Sequence, residues 1–191
     1  MPRDTSRLDM SVDFQPVNIA VLTVSDTRTP DDDRSGGLLA ERIAEDGHVL
    51  VCRTIVTDDV DRIIAQLQDW IVNPQIDVVV TTGGTGLTGR DSTPEAFDRT
   101  IEKAIPGFGE LFRQLSYEKI GTSTIQSRAV AGVAGGTYLF ALPGSPSGCR
   151  DGWDDILRYQ LDIRHRPCNF VEIMPRLTES VSRRRTSPVN A

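Results

Sequence analysis

The chain has 191 residues, 38% of them hydrophobic, and a net charge of −6 at pH 7. That length favours one domain able to bury about 70% of its unfolded surface, and the acidic balance argues against nucleic-acid binding. Three scattered cysteines and two histidines make neither a disulfide framework nor a metal pattern, which fits a reducing cytoplasm; the opening residues lack an apolar core, so no signal peptide is expected, and no apolar run approaches membrane length, so no span is expected.

Residues 1–15 are polar and read as a flexible arm. Val17 to Val24 is a β-branched apolar run and reads as the first buried strand. Ser25 and Asp26 follow at its carboxyl end, the edge where open α/β sheets bind ligands. After an acidic loop, Leu38, Leu39 and Ile43 mark a helix face that Gly47 closes. His48 to Thr57 reads as a second strand, with His48 expected at the surface. Asp58 and Asp59 precede a helix marked by Val60, Ile63, Ile64, Leu67 and Ile71. One of the two aspartates can cap that helix while the other faces a ligand.

Ile76 to Thr82 reads as the third strand. Four glycines follow within seven residues: Gly83, Gly84, Gly86 and Gly89. Glycine admits positive φ and lets a ligand approach main-chain N–H groups closely. Ser92, three residues before Glu95, has capping-box spacing, and Pro94 suits a first helical turn. Strand, glycine loop and helix start together make a place for an anion. Gly84 to Gly89 formally matches G-x-G-x-x-G, which keeps an NAD-dependent oxidoreductase as an alternative. In that motif, however, the helix starts within the glycines, and here it starts after them. The stretch also approaches a P-loop, but Arg90 and Asp91 stand where Lys and Ser/Thr belong.

Phe97, Ile101 and Ala104 predict a short helix, which Pro106-Gly107 ends. Phe108, Leu111, Phe112 and Leu115 predict the next, its apolar stripe serving as core or subunit interface. Residues 129–133 and 137–142 predict a hairpin at Gly135-Gly136. Gly148 to Ile163 reads as helical, Phe170 to Met174 as a last short strand, and 175–191 as a polar tail with Arg183-Arg184-Arg185. Alternation of strands and helices predicts an α/β, three-layer α/β/α sandwich, with a mainly parallel sheet and one antiparallel edge strand. Residues 16–174 form its single domain.

Thr81-Thr82-Gly83-Gly84-Thr85-Gly86, followed by Arg90-Asp91-Ser92-Thr93-Pro94-Glu95-Ala96, resembles the central motif of the MoaB/MogA family of molybdopterin-binding proteins. Pro106-Gly107-Phe108-Gly109-Glu110, Ser127-Arg128 and Leu142-Pro143-Gly144-Ser145-Pro146 match further family motifs in order. Residues 118–133 and 166–170 look closer to the MoaB branch. The resemblance spans about Val17 to Phe170.

The resemblance implies molybdopterin binding and, in active members, transfer of AMP from Mg-ATP to the pterin's terminal phosphate. It places the catalytic, Mg²⁺-holding acids at Asp58 and Asp91, with Asp59 the alternative to Asp58 because Thr57 stands where the family often has Pro. It implies ligand contacts at Thr82, Gly83, Gly84, Thr85, Gly86, Ser127, Pro143, Gly144 and Ser145, with Ser147 alongside. Ser25 and Asp26 join them from their place at the sheet edge. Homo-oligomers, trimers or hexamers, are implied as well. A non-catalytic molybdopterin-binding scaffold with the same fold is the alternative function.

Overall fold

The computed structural model describes residues 5–179. Six strands form one sheet in the order β2-β1-β3-β6-β5-β4. β1 (Asn18–Val24) lies between β2 (Val49–Val56) and β3 (Val78–Thr82), parallel to both, and β6 (Thr137–Leu142) runs parallel to β3. β5 (Val130–Ala134) is antiparallel to β6 and to β4 (Lys103–Ala104). The antiparallel strand is therefore not the edge itself, because β4 covers it.

Side chains of a strand alternate between the two faces, and β1 shows the rule directly. Ile19 and Val21 enter one core with Leu39 and Ile43 of α1 (Arg34–Glu45), Phe108 and Phe112 of α4 (Pro106–Ile120), and Cys149 of α5 (Pro146–Gly152). Ala20 and Leu22 enter the other with Ile63 and Leu67 of α2 (Val60–Ile71) and Phe97 of α3 (Thr93–Asp98). Both faces of the sheet are thus covered, as a mainly parallel sheet requires. The stripe expected as core or interface is divided. Phe108 and Phe112 are buried, while Leu111 is 41% exposed.

Three local expectations are corrected. Residues 103–104 form a strand rather than a helix, since their backbone pairs with Gly132 and Val133. Phe170–Ile173 is one helical turn rather than a strand, because the Asn169 side chain accepts the Glu172 N–H at 2.8 Å and caps it. His48 is buried, its Nδ1 accepting the Val17 N–H at 3.2 Å and its ring packed against Phe14 and Trp153.

The helix expected over 148–163 starts at Pro146, passes through a π-helical stretch at Trp153–Leu157 and ends at Gln160. Part of the expected arm is tied down. The Asp9 N–H donates to the Arg164 carbonyl at 2.8 Å, and the Arg166 N–H donates to the Arg7 carbonyl at 2.9 Å. In the expected tail, Leu177 packs against the core. The triple arginine at 183–185 lies outside the described residues.

Strand register decides which loops meet. Thr82 aligns with Thr23 on one side and Leu142 on the other, and Val24 aligns with Val56. The segments following Val24, Val56, Thr82 and Leu142 therefore emerge side by side. The chain leaves β1 toward β2 on one side and returns to β3 on the other. This switch point is where open α/β sheets bind ligands.

Candidate functional site

The glycine loop is a set of peptide planes held by their carbonyls. The Thr93 Oγ donates to the Gly83 carbonyl at 2.8 Å, and the Thr93 N–H donates to the Gly84 carbonyl at 3.0 Å. The Arg128 N–H donates to the Thr85 carbonyl at 3.1 Å, and its Nε donates to the Gly86 carbonyl at 2.7 Å. In a trans peptide the carbonyl and the following N–H point in opposite directions. Four anchored carbonyls therefore turn the N–H groups of residues 84–87 away from Thr93 and Arg128. Gly83 and Gly84 take φ of +103° and +63°, which only glycine adopts without strain.

Not every amide of the loop is available. The Gly83 N–H is consumed by the Leu142 carbonyl at 3.1 Å, extending the β3–β6 pairing, and the Gly86 N–H helps hold the Asp91 carboxyl low. Among the described residues, the N–H groups of Gly84 and Thr85 have no backbone acceptor. Gly84, Thr85 and Gly86 line a cavity of about 600 Å³. α3 has six residues, and its first N–H is spent on Gly84, so it fastens the loop rather than offering its own end to an anion.

Most candidate residues converge on this cavity. Asp91, Ser127, Pro143, Gly144, Ser145 and Ser147 line it with the loop. Ser145 also caps α5, its Oγ accepting the Gly148 N–H at 3.1 Å. Phe112 and Ile120 give an apolar wall; Lys119 at the rim is held by Asp151 at 2.8 Å and Asp155 at 2.6 Å. Such a mixture of apolar wall, hydroxyls and main-chain amides suits a small heterocycle bearing a phosphate.

The other candidates stand elsewhere. Thr82 is fully buried behind the loop; its Oγ donates to the Pro143 carbonyl at 2.9 Å. Ser25 and Asp26 line a separate hollow of about 570 Å³ with Arg28 and Arg53. Asp58 lies beneath the loop. One of its oxygens accepts the Ser92 Oγ–H at 2.7 Å and the Ser92 N–H at 3.1 Å. A Cβ on Gly84 would come within 3.1 Å of both Asp58 oxygens. Asp59 instead caps α2, accepting the Arg62 N–H at 3.0 Å. The two adjacent aspartates thus divide capping from loop contact.

A Cβ on Gly86 would lie 2.7 Å from an Asp91 oxygen, so Asp58 and Asp91 bracket residues 84–86. Burial pushes the Asp91 carboxyl up, but hydrogen bonds from Thr88 and Gly86, with the nearby Arg128 charge, outweigh it and hold it below the ordinary range. Asp26 is also held low, first by Arg90, whose guanidinium sits 2.5 Å away, and then by the Asp58 N–H.

As metal ligands, Asp58 and Asp91 offer oxygen, which Mg²⁺ prefers. Among the described residues, no three His, Cys, Asp or Glu side chains converge on one point. An ion here would complete its shell with water and substrate phosphates, the usual arrangement for Mg²⁺.

Two features escaped the sequence reading. The Ser92–Glu95 capping box does not form, because Ser92 turns to Asp58 and Glu95 pairs with Arg128. Arg128 itself, read only as part of a motif, touches the loop at several points. Its only advance signal was its place beside Ser127.

A mainly parallel sheet with a ligand cavity at its switch point, walled by an anchored glycine loop, defines the class, and the comparisons agree. Residues 20–163 match the family model described as a probable molybdopterin binding domain, and the chain belongs to that family. It is 50% identical over 161 residues to molybdenum cofactor biosynthesis protein B of Escherichia coli K12, covering 84% of this chain and 95% of that one. A crystal structure of a molybdenum cofactor biosynthesis protein B superposes with a TM-score of 0.74 at 36% identity, covering 88% of this chain and 98% of that one. The tungsten cofactor synthesizing protein MoaB of Pyrococcus furiosus superposes at 0.67 with 37% identity, covering 75% and 91% respectively. The dinucleotide-binding alternative gives way to this family. Its motif requires a helix opening within the glycines, and α3 begins beyond Gly89.

Proposed function

We propose that this chain acts in molybdenum cofactor biosynthesis, binding molybdopterin in the cavity of about 600 Å³ and transferring AMP to it from Mg-ATP. The observation that carries the reading is the pair of amides, Gly84 and Thr85, aimed away from the Gly83 and Gly84 carbonyls that Thr93 anchors. Two adjacent N–H groups of this kind suit a phosphate oxygen.

In the proposed reaction a terminal phosphate oxygen of the pterin bonds to the α-phosphorus of ATP. The bond from that phosphorus to the bridging oxygen breaks, and pyrophosphate leaves. Such transfers depend on positioning and charge neutralisation more than on covalent participation by the protein. Asp58 and Asp91 would hold Mg²⁺, which when bound offsets charge on the phosphates. The loop amides hold the pterin phosphate, and the apolar wall at Phe112 and Ile120 shields the ring from water.

The test is purified protein with molybdopterin and Mg-ATP. Pterin-dependent pyrophosphate release is expected, and its absence overturns the transfer step. A second reading, pterin binding without catalysis, draws on the position of Asp58, which sits behind the loop and already accepts two hydrogen bonds from Ser92. Calorimetry separates the two readings, since a scaffold binds pterin but not ATP.

Self-association belongs to the proposal. Leu111, Tyr117 and Ile120 on α4 and Ile125 beyond it are all exposed. Light scattering at a trimer or hexamer mass is expected, and a monomer mass excludes it. Cytoplasmic residence is proposed on the same footing; no helix among the described residues is long and apolar enough to cross a membrane.

A further inference from the structure

We propose that Arg128 is a positioning residue of the glycine loop, setting the direction of its last two anchored peptide planes and steadying Asp91 rather than meeting the ligand. The main chain and side chain of this one residue reach four partners. Its N–H holds the Thr85 carbonyl at 3.1 Å and its Nε the Gly86 carbonyl at 2.7 Å. One terminal nitrogen holds the Asp91 carbonyl at 3.0 Å, and the other meets the Glu95 carboxylate. The guanidinium thus grips both ends of the segment 86–91, whose middle, Leu87 to Arg90, is exposed.

The planarity of the peptide makes this grip consequential. With the Thr85 carbonyl fixed, the Gly86 N–H must face the other way, and it helps hold the nearby Asp91 carboxyl low. With the Asp91 carbonyl fixed as well, that carboxylate is steadied from both sides of its own residue. Asp91 then closes the circuit by accepting the Thr88 N–H at 2.7 Å, while the Asp91 N–H donates to the Thr88 carbonyl at 3.0 Å. Arg128 thus supports the proposed ligand acid and the peptide planes carrying the Gly86 and Leu87 N–H groups, next along the chain from the Gly84 and Thr85 amides that Thr93 orients. Arg128 does not line the cavity, and its side chain is 29% exposed.

Arginine suits this task because its planar fork binds several acceptors in fixed directions, which a lysine ammonium does not reproduce. Glu95 completes the set by engaging a donor that would otherwise be unused. Its carboxyl is held low, first by the hydrogen bond from Arg128.

The inference rests on the proposed phosphate-binding role of the loop, but half of its test needs no ligand. Hydrogen exchange is compared between the intact protein and Arg128→Met. Exchange at Thr88 and Asp91 is expected to accelerate by about tenfold or more, with core amides of β1 and β3 unchanged. Equal protection at these loop amides overturns the proposal, whether or not the pterin binds. With molybdopterin as probe, Arg128→Met is expected to weaken binding by about a hundredfold, as displaced groups do. Arg128→Lys should fall between, and Glu95→Gln should stay within about twofold. Should Arg128→Met not fold, the Lys variant carries both measurements. Intact-like loop exchange and affinity in it would refute the need for a fork.

Discussion

Ser92 donates both its Oγ–H and its N–H to one oxygen of Asp58, at 2.7 and 3.1 Å. This contact joins the carboxyl end of β2 to the residue that opens α3. It explains why the expected capping box is absent, since the serine hydroxyl is committed elsewhere. It also gives Asp58 a defined place beside Gly84, where a Cβ would lie 3.1 Å from both its oxygens.

The two adjacent aspartates should separate cleanly. Asp59→Ala removes an N-cap and is expected to lower stability by about 1 kcal/mol, with pterin binding retained. Asp58→Ala leaves Ser92 without its acceptor and Gly84 without its neighbour, and should abolish turnover. Urea midpoints alongside the pyrophosphate assay check both. Reversed outcomes would make Asp59 the functional acid.

Asp91→Asn should cut turnover by about two to three orders of magnitude while pterin binding stays largely intact, because the loop amides remain. Pyrophosphate release and calorimetry measure the two separately. Unchanged turnover refutes the role proposed for this carboxylate.

The same residue sets an acid limit. Its folded carboxyl lies below the ordinary 3.8 of a free aspartate. A depressed carboxyl contributes stability that is complete above the unfolded value and fades as pH falls through the folded one. Loop order should therefore hold at neutral pH and weaken only below about pH 4. In Asp91→Asn that limb should flatten, as followed by urea midpoints from pH 2 to about 6.

Thr93→Val keeps the shape of a fully buried side chain but deletes the hydrogen bond to the Gly83 carbonyl. A loss of about 1–3 kcal/mol is expected, the cost of an unsatisfied buried group, together with weaker pterin binding. Gly83→Ala should be more damaging. Its Cβ would lie 2.2 Å from the Val24 carbonyl, in a left-handed conformation that already disfavours alanine. Thermal denaturation ranks the two, and a Gly83→Ala protein as stable as the parent contradicts the loop geometry.

The main architecture was legible because hydrophobic period and turn chemistry agreed. β1, β3 and α2 follow from apolar spacing alone, and Gly135-Gly136 takes the positive φ that its hairpin needs. The misreadings occur where tertiary partners override a local signal. β4 is two residues long and exists through its pairing with β5, a length too short for any pattern. His48 looked like a surface residue until Val17, Phe14 and Trp153 enclosed it. Within the site, residue types at the loop were readable, but which amides were free was not. Gly83 and Gly84 look alike in sequence, yet only the alignment of β3 with β6 reveals that the first has spent its N–H on Leu142.

The four anchored carbonyls have a consequence for how binding proceeds in time. A receptor whose main chain is already oriented does not have to freeze on contact, so little ordering entropy opposes association. Encounter should then follow diffusion and orientation, with single-exponential kinetics and no slow isomerisation phase. Differences in affinity among loop variants should show mainly in how quickly the complex comes apart.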